Sequence, residues 1–418
     1  MKYGRNEQCF CGSGKKYKHC HLAREQQPRV NPWDVSAATR KDFSVKLCSA
    51  PDAMLGSCSD KIVAAHTVPK SGSLNKIARK GHVLAFVPSF ENLNKHNGML
   101  FPELVGVGKA STFSGFCSVH DDGLFAPVEK EIFTGSQKQC FLLAYRAYAR
   151  EIYTKRAAAE TAKLHKDLDR GRSQDMQVSI QMFSFTHGLG MDAALRDINH
   201  HKPRFEAPLL NDDYSSVRSY IVEIEGPPPV MCSGSFAPEY DFDKTQLQDM
   251  VDITVTPHML SVTSFYGGTS GQIVLTFTVT PHMLSVTSFY GGTSGQIVLT
   301  WLSEDDPVCI PVIESLERIS DHDLSSRMVA FLFENFENVH ISPDWWDAIG
   351  KEAQTALVNR MMGDMGTMFG VPRCKKLQTA LVNRMMGDMG TMFGVPRCKK
   401  LKCEVPPWSV ISRRRVGC

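Results

Sequence analysis

The amino-acid sequence predicts an α+β protein: an N-terminal cysteine-rich hairpin, a second cysteine-containing unit, a long helix, and a β-rich domain that ends in helices. Three observations support this. Cysteines cluster near the N terminus, residues 136–170 favour a helix, and strand-forming residues dominate from about residue 216. With 418 residues, 42% hydrophobic and 22% charged, the chain has the composition of a folded protein with two or three domains.

The hairpin lies in the segment MKYGRNEQCFCGSGKKYKHCHLA. Cys9, Cys11, Cys20 and His21 form a C-x-C-x8-C-H pattern, in which a glycine-containing turn joins two ligand pairs. Such an arrangement can close on a tetrahedral zinc ion. A disulfide is the alternative, but no charged segment followed by an apolar stretch and a cleavage site indicates export. We therefore expect reduced thiols in a cytoplasmic protein.

GRNEQCFCGSGKKYKHCH resembles the SEC-C motif, the short zinc hairpin at the carboxyl end of the SecA translocation ATPase and of many bacterial proteins. The resemblance covers about twenty residues and departs from the family at Gln8 and Phe10, where proline is common. It implies a zinc-stabilised docking motif over residues 1–24 and a bacterial protein. It does not imply an enzymatic activity.

Charge is unevenly distributed along the chain. The net charge is only +3, yet residues 1–30 contain seven lysines and arginines against two glutamates. This basic patch indicates contact with an acidic partner, whether protein, ribosome, nucleic acid or anionic lipid, or else a solvated surface around the zinc site. Residues 25–41 are polar and contain prolines, which predicts a linker that separates the hairpin from the rest of the fold.

Residues 42–135 contain short apolar runs and a second set of ligands. Cys48 and Cys58 form one pair, and Cys117 and His120 form another with the two-residue spacing of a zinc knuckle. Four such ligands complete a tetrahedral site. The sequence therefore predicts a second zinc ion in a small α+β unit.

Within this unit, residues 48–129 resemble an HNH (treble-clef) nuclease: a knuckle, the strand KIVAAH ending in a histidine, and a second knuckle followed by an acidic residue. The resemblance implies that His66 is the general base and that Asp121 binds Mg²⁺ or Mn²⁺, which prefer oxygen ligands. The first ligand pair has an unusually wide spacing, and about fifty residues separate His66 from Cys117. A treble-clef unit that binds without catalysis is the alternative.

Residues 136–170 are rich in Ala, Leu, Lys, Glu and Arg, which predicts the long helix. The β-rich domain is placed at residues 216–418, with β-branched and aromatic runs such as SYIVEIEG and GQIVLTWL. Near its end, SPDWWDAIGKEAQTALVNRMM predicts a helix with Ser342 as N-cap and Pro343 at the first position. The terminal PPWSVISRRRVGC is expected to be poorly ordered.

Two segments are tandem duplications with a period of 24 residues. TVTPHMLSVTSFYGGTSGQIVLT occurs at 254–276 and 278–300, and QTALVNRMMGDMGTMFGVPRCKKL occurs at 354–377 and 378–401. Solenoid repeats diverge and need about three copies to build a core, so identical pairs are not a solenoid. We expect one copy of each pair to pack in the fold.

Two functional hypotheses follow from the sequence. In the first, a cytoplasmic bacterial protein carries two zinc ions and acts on nucleic acid as an HNH-like nuclease with His66 and Asp121. In the second, the zinc sites dock a non-enzymatic adaptor to protein or ribosomal partners. No stretch approaches the roughly 20 apolar residues of a membrane helix, so membrane insertion is not expected.

Overall fold

The computed structural model is a mixed α+β protein, as predicted, and it describes residues 3–97, 99–131, 133–250, 255–266, 275–277, 294–368 and 404–417. The chain divides into two units. The first unit contains residues 1–47 and 152–200, and the second contains residues 48–151 and 201–418. Among the helices of the described residues, none combines the length and the apolar character that a membrane crossing requires.

The elements of the described residues are as follows. The helices are α1 (Pro32–Asp42), α2 (Asn75–Ile77), α3 (Phe90–Lys95), α4 (Ser118–Leu124), α5 (Ala126–Glu129), α6 (Gln137–Leu164), α7 (Gln174–Asn211), α8 (Asp306–Glu317), α9 (Asp321–Asn335), α10 (Pro343–Ala348) and α11 (Gly350–Met368). The strands are β1 (Ile62–His66), β2 (His82–Ala85), β3 (Glu103–Gly106), β4 (Thr112–Cys117), β5 (Val217–Glu225), β6 (Val230–Phe236), β7 (Leu260–Tyr266), β8 (Leu275–Phe277), β9 (Ser294–Leu302), β10 (Val339–Ile341) and β11 (Val410–Val416).

Part of the predicted linker, residues 25–41, is helical. The side chain of Asn31 accepts a hydrogen bond from the backbone N–H of Trp33, and Pro32 occupies the first turn, so α1 begins with a standard cap. In the first unit this helix is tied to α6, because the Thr161 hydroxyl donates to Asp42. The predicted linker therefore contains most of helix α1.

The long helix predicted at 136–170 is confirmed by α6 and a short 3-10 turn after it. Helix α7, with 38 residues, was not predicted. Its sequence contains Gly188, Gly190, Pro203 and Pro208, which disfavour helix locally. Tertiary packing overrides that preference, and Phe205 within α7 is fully buried.

A nine-stranded sheet dominates the described part of the second unit. Its strand order is β11-β5-β8-β9-β7-β6-β10-β2-β3, and its neighbours are antiparallel except for the β8–β9 pair. Residues of α8, α9 and α11 pack with it into one apolar core. In that core the buried Trp346 ring stacks on Phe333, with ring centroids 6.2 Å apart. The β-rich domain with C-terminal helices is thus confirmed.

The two copies of the first duplication both contribute strands to the centre of this sheet. Strand β7 comes from the first copy and β9 from the second, and they pair antiparallel from Ser261 opposite Thr300 to Tyr266 opposite Gly295. Strand β8, from the end of the first copy, lies in the same sheet, so both copies of the first duplication contribute strands and the expectation that one copy packs is wrong for this pair. The second copy of the other duplication, residues 378–401, lies outside the described residues.

Deleting residues 267–290 is expected to leave the melting temperature unchanged or to raise it. The deletion removes the short strand β8, whose neighbours β5 and β9 also pair directly with each other. It retains β7 and β9 and joins them by GGTS (residues 291–294), a four-residue loop with two glycines that suits an antiparallel hairpin. It also shortens the connection, which lowers the entropy cost of closing it. Thermal unfolding measures the effect, and a fall of many degrees would show that the deleted segment, including β8, stabilises the fold.

The C-terminal segments differ from the prediction in two places. The predicted helix from Pro343 is capped by Ser342 as expected, but it divides into α10 and α11 at Gly350, whose φ is +77°. The terminal tail was expected to be poorly ordered and instead forms strand β11. The expectation was wrong because the tail pairs with β5 and its arginines form ion pairs with carboxylates. The Arg415 guanidinium, for example, lies 2.7 Å from the Glu317 carboxylate.

Strands β1 and β4 form a separate two-stranded antiparallel sheet, from Ile62 opposite Cys117 to His66 opposite Thr112. Helix α4 begins directly after β4, with Cys117 as its N-cap residue. The chain between the two strands contributes β2 and β3 to the large sheet. The β1–β4 strand pair and α4 position the second ligand cluster.

Candidate metal centres

The N-terminal hairpin brings its four predicted ligands into one cluster. The ligand atoms of Cys9, Cys11, Cys20 and His21 all lie within 4.8 Å of one another. The Nδ1 atom of His21 lies 3.2 Å from the sulfurs of Cys9 and Cys20, and the Cys11 sulfur lies 3.5 Å from the same two sulfurs. A tetrahedral zinc ion with bonds of about 2.0 to 2.3 Å separates its ligands by about 3.4 to 3.8 Å, so this donor set fits zinc.

The turn between the two ligand pairs depends on glycine. Gly12 and Gly14 both have φ of +70°, a conformation that residues with a Cβ rarely adopt. On either side of the turn, Gln8 and Lys16 form an antiparallel bridge. The C-G-S-G sequence therefore closes the hairpin and sets Cys9 and Cys11 opposite Cys20.

The second cluster contains Cys48, Cys58, Cys117 and His120, again with all ligand atoms within 4.8 Å of one another. The Nδ1 atom of His120 lies 3.3 Å from the Cys117 sulfur and 3.4 Å from the sulfurs of Cys48 and Cys58. The backbone N–H of Cys117 points to the Cys48 sulfur at 3.4 Å. The two pairs predicted from sequence thus meet, although 58 and 117 are far apart in the chain.

Electrostatics within the second cluster favour a bound cation. Burial raises the pKa of Cys117, but hydrogen bonds from the backbone of His120 and from Ser59 outweigh it and bring this pKa to about 6. Burial, with the hydrogen bond and negative charge of Cys48, raises the pKa of Cys58 to about 12. Ionisation of Cys58 together with Cys117 is therefore disfavoured unless a positive charge offsets their repulsion, which zinc does in a thiolate site.

The two histidine ligands have different partners on the ring nitrogen that faces away from the cysteines. Nε2 of His21 lies 2.9 Å from the Asp169 carboxylate, which is buried. Nε2 of His120 lies 3.0 Å from the hydroxyl of Ser57. Burial lowers the pKa of His21, which favours the neutral ring that metal ligation requires.

The predicted general base, His66, lies at the end of β1. Its Nε2 atom is 3.2 Å from the backbone oxygen of Val107. Burial is the main cause of its lowered pKa, and the charge of Arg146 adds to it. Both effects favour the neutral ring.

Asp121 lies in the first turn of α4 and lines a shallow surface depression together with Glu129. His66 is not among the described residues that line this depression. The guanidinium of Arg146, with its side chain 1% exposed, lies 3.7 Å from Asp121 and 2.6 Å from Glu129. The same guanidinium donates to the backbone oxygen of His66 at 3.1 Å and lies over the Phe125 ring.

Sequence reasoning missed three residues around these sites. Arg146 had a signal, because it is a charged residue inside the apolar run FLLAYRAYA and such residues are rarely buried without a partner. Ser57, next to a ligand, and Asp169, far from the hairpin in sequence, had none. Their roles depend on tertiary contacts.

Comparison with known proteins identifies the N-terminal hairpin. A family model described as SEC-C motif matches residues 5–23. Protein translocase subunit SecA of Chloroflexus aggregans is 39% identical over 64 residues, which cover 12% of this chain and 6% of that protein. Protein translocase subunit SecA of Chloroflexus aurantiacus is 75% identical over 24 residues, 6% of this chain and 2% of that protein.

The chain therefore spans a small share of the length of these curated relatives, and no solved structure matches it significantly. The matched residues include all four ligands of the first cluster. Residues 5–23 are a SEC-C motif, and the motif with its cluster of three cysteines and a histidine supports zinc binding by this chain.

Proposed function

We propose that the chain is a non-enzymatic binding protein with two structural zinc ions, which docks to an acidic protein or ribosomal partner through its SEC-C motif. The observation that carries the proposal is the pairing of Asp121. A nuclease of the HNH type would use this carboxylate to hold Mg²⁺ or Mn²⁺. Here the buried Arg146 guanidinium lies 2.6 Å from Glu129 and 3.7 Å from Asp121, so a protein cation already occupies the position beside these carboxylates.

The surface of the SEC-C motif supports a docking role. Its basic face consists of four exposed side chains that pair with no carboxylate within the described residues: Arg5, Lys15, Lys16 and Lys18. Arg24, by contrast, is paired with Asp167 and Asp169. Four unpaired positive charges on one small hairpin attract an acidic surface, and this attraction weakens as salt screens it.

A metal-dependent nuclease is the second candidate, and the hydrogen bond of His66 favours it. With Nε2–H donating to the Val107 carbonyl, the other ring nitrogen would be a free base. His66 would then accept a proton from water while Asp121 held Mg²⁺ or Mn²⁺. This function requires Asp121 to exchange Arg146 for a metal ion.

Zinc content and cleavage assays test the two candidates together. We expect two zinc ions per purified chain, and one after either Cys20→Ser or Cys58→Ser, because each change removes a ligand from one cluster. We expect no cleavage of single- or double-stranded DNA or RNA with Mg²⁺ or Mn²⁺. Cleavage that His66→Ala abolishes at unchanged zinc content would replace the binding function by the nuclease.

Docking is measured by sedimentation of the full zinc-loaded chain with purified ribosomes. We expect binding at low salt that falls at least about tenfold in the triple variant Lys15→Glu, Lys16→Glu, Lys18→Glu, since it reverses three charges of the basic face. The matched control reverses Lys76, Lys80 and Lys95, which are exposed outside the motif. An equal loss in both variants would show nonspecific attraction, and no binding at all would direct the search to acidic proteins.

A further inference from the structure

Asp169 lies in the turn between α6 and α7 and is completely buried. One of its oxygens accepts from Arg24 at 2.6 Å, and the other lies 2.9 Å from both His21 Nε2 and the side-chain amide of Gln181. Gly171, in the same turn, donates its backbone N–H to the carbonyl of Arg24. The end of the SEC-C motif is thus held by a turn that lies far from it in sequence.

The contact between His21 and Asp169 fixes the proton of the imidazole ring. A neutral histidine carries one N–H, and a carboxylate only accepts. With the proton on Nδ1, Nε2 and the Asp169 oxygen would be two acceptors facing each other at 2.9 Å. With the proton on Nε2, the ring N–H and the carboxylate attract each other across that distance, and Nδ1 presents its lone pair to the cysteine cluster.

We propose that Asp169 is the positioning residue of the SEC-C zinc site, so that the zinc affinity of the motif depends on the turn at residues 165–172. Carboxylates that accept from the second nitrogen of a histidine ligand orient the ring and increase its basicity, and their loss typically lowers metal affinity by about 10- to 100-fold. The motif therefore needs a residue outside its own hairpin to bind zinc at full strength.

The second cluster provides an internal comparison. There the corresponding partner of His120 is the hydroxyl of Ser57, a neutral group that makes a weaker hydrogen bond than a carboxylate. Asp169 makes no contact with this second cluster in the structure. Zinc retained there therefore reports that the second unit of a variant protein is still folded, and helical circular dichroism reports on the rest.

The experiment measures zinc affinity of the full chain by competition with a chromophoric chelator. Asp169→Asn is expected to weaken one of two zinc sites at least about tenfold and to leave the other unchanged. Asp167→Asn is the matched control, because Asp167 also pairs with Arg24 but is half exposed and makes no contact with His21. Equal affinities in Asp169→Asn and the wild type would overturn the proposal.

A double-variant cycle separates positioning from folding. In a His21→Cys background the fourth ligand has no second nitrogen, so Asp169→Asn should no longer weaken zinc binding. A loss of the same size in both backgrounds, or loss of helical circular dichroism in both, would show that Asp169 acts through folding alone. Restoration of affinity in the cysteine background would confirm the positioning role.

Discussion

Replacing Cys117 by serine is expected to release one zinc ion per chain and to unfold β1, β4 and α4. Cys117 is fully buried, ends β4, and is the N-cap residue of α4, so one residue joins the β1–β4 strand pair, the helix and the ligand cluster. A pair of strands is marginally stable by itself. Structural zinc contributes about 10 to 16 kcal/mol in small zinc-binding peptides, so we expect loss of this site to unfold the region.

Hydrogen exchange measured with zinc analysis tests this expectation. Amides of β1, β4 and α4 should lose protection in Cys117→Ser, while those of the first unit keep it, because its SEC-C cluster is separate. Cys232→Ser is the matched control: Cys232 is equally buried, but it lies in the core of the large sheet and outside both clusters. Retained protection in β1 and β4, with one zinc ion lost, would show that apolar packing stabilises this strand pair without the metal.

Local patterns explain what could be predicted from the sequence. The SEC-C ligands lie within thirteen residues, and the glycines between them indicate a turn. The sequence alone therefore predicts that the four ligands form one site. The second cluster was predicted from pairs rather than from one segment, since the knuckle at Cys117 and His120 needed a distant partner. Helix α6 and the strands from 216 followed from composition and periodicity, because each forms a regular element with few breakers.

Long-range contacts explain what the sequence did not reveal. Helix α7 contains two glycines and two prolines and is helical because packing outweighs local preference. Strand β11 is ordered because β5 offers an edge and acidic residues pair with its arginines, neither of which is visible in the tail. For the same reason, the sequence placed His66 and Asp121 close to the β1–β4 strand pair but did not reveal Arg146, the cation beside Asp121 and Glu129.

The second large effect is expected from replacing the buried Arg146, and the exposed Lys130 serves as the comparison. Arg146→Met is expected to lower the free energy of unfolding by about 3 kcal/mol at pH 7, whereas Lys130→Met should change it by less than about 0.5 kcal/mol. Lys130 pairs with Asp122 at 2.6 Å, but both side chains are more than half exposed. Arg146 is buried, and its loss leaves the carbonyl of His66 without its donor and removes the positive charge beside Asp121 and Glu129.

The pH dependence of this loss identifies its cause. Burial raises the pKa of Asp121, and the charge of Arg146 opposes that rise, so removal of Arg146 raises this pKa further. A carboxyl whose folded pKa lies above the unfolded one favours the folded state when protonated and loses that contribution as pH rises through the folded pKa. The deficit of Arg146→Met should therefore be largest at neutral pH and shrink as acid protonates Asp121.

Urea unfolding of wild type, Arg146→Met and Lys130→Met at neutral and acid pH measures these differences, with zinc present to keep both clusters filled. A deficit that is equal at both pH values would mean that Arg146 stabilises the fold through its packing on Phe125 and its bond to His66 rather than through charge. A deficit near zero would mean that the two carboxylates need no protein cation. In that case Asp121 would be available to a divalent metal, and the nuclease would become the better-supported function.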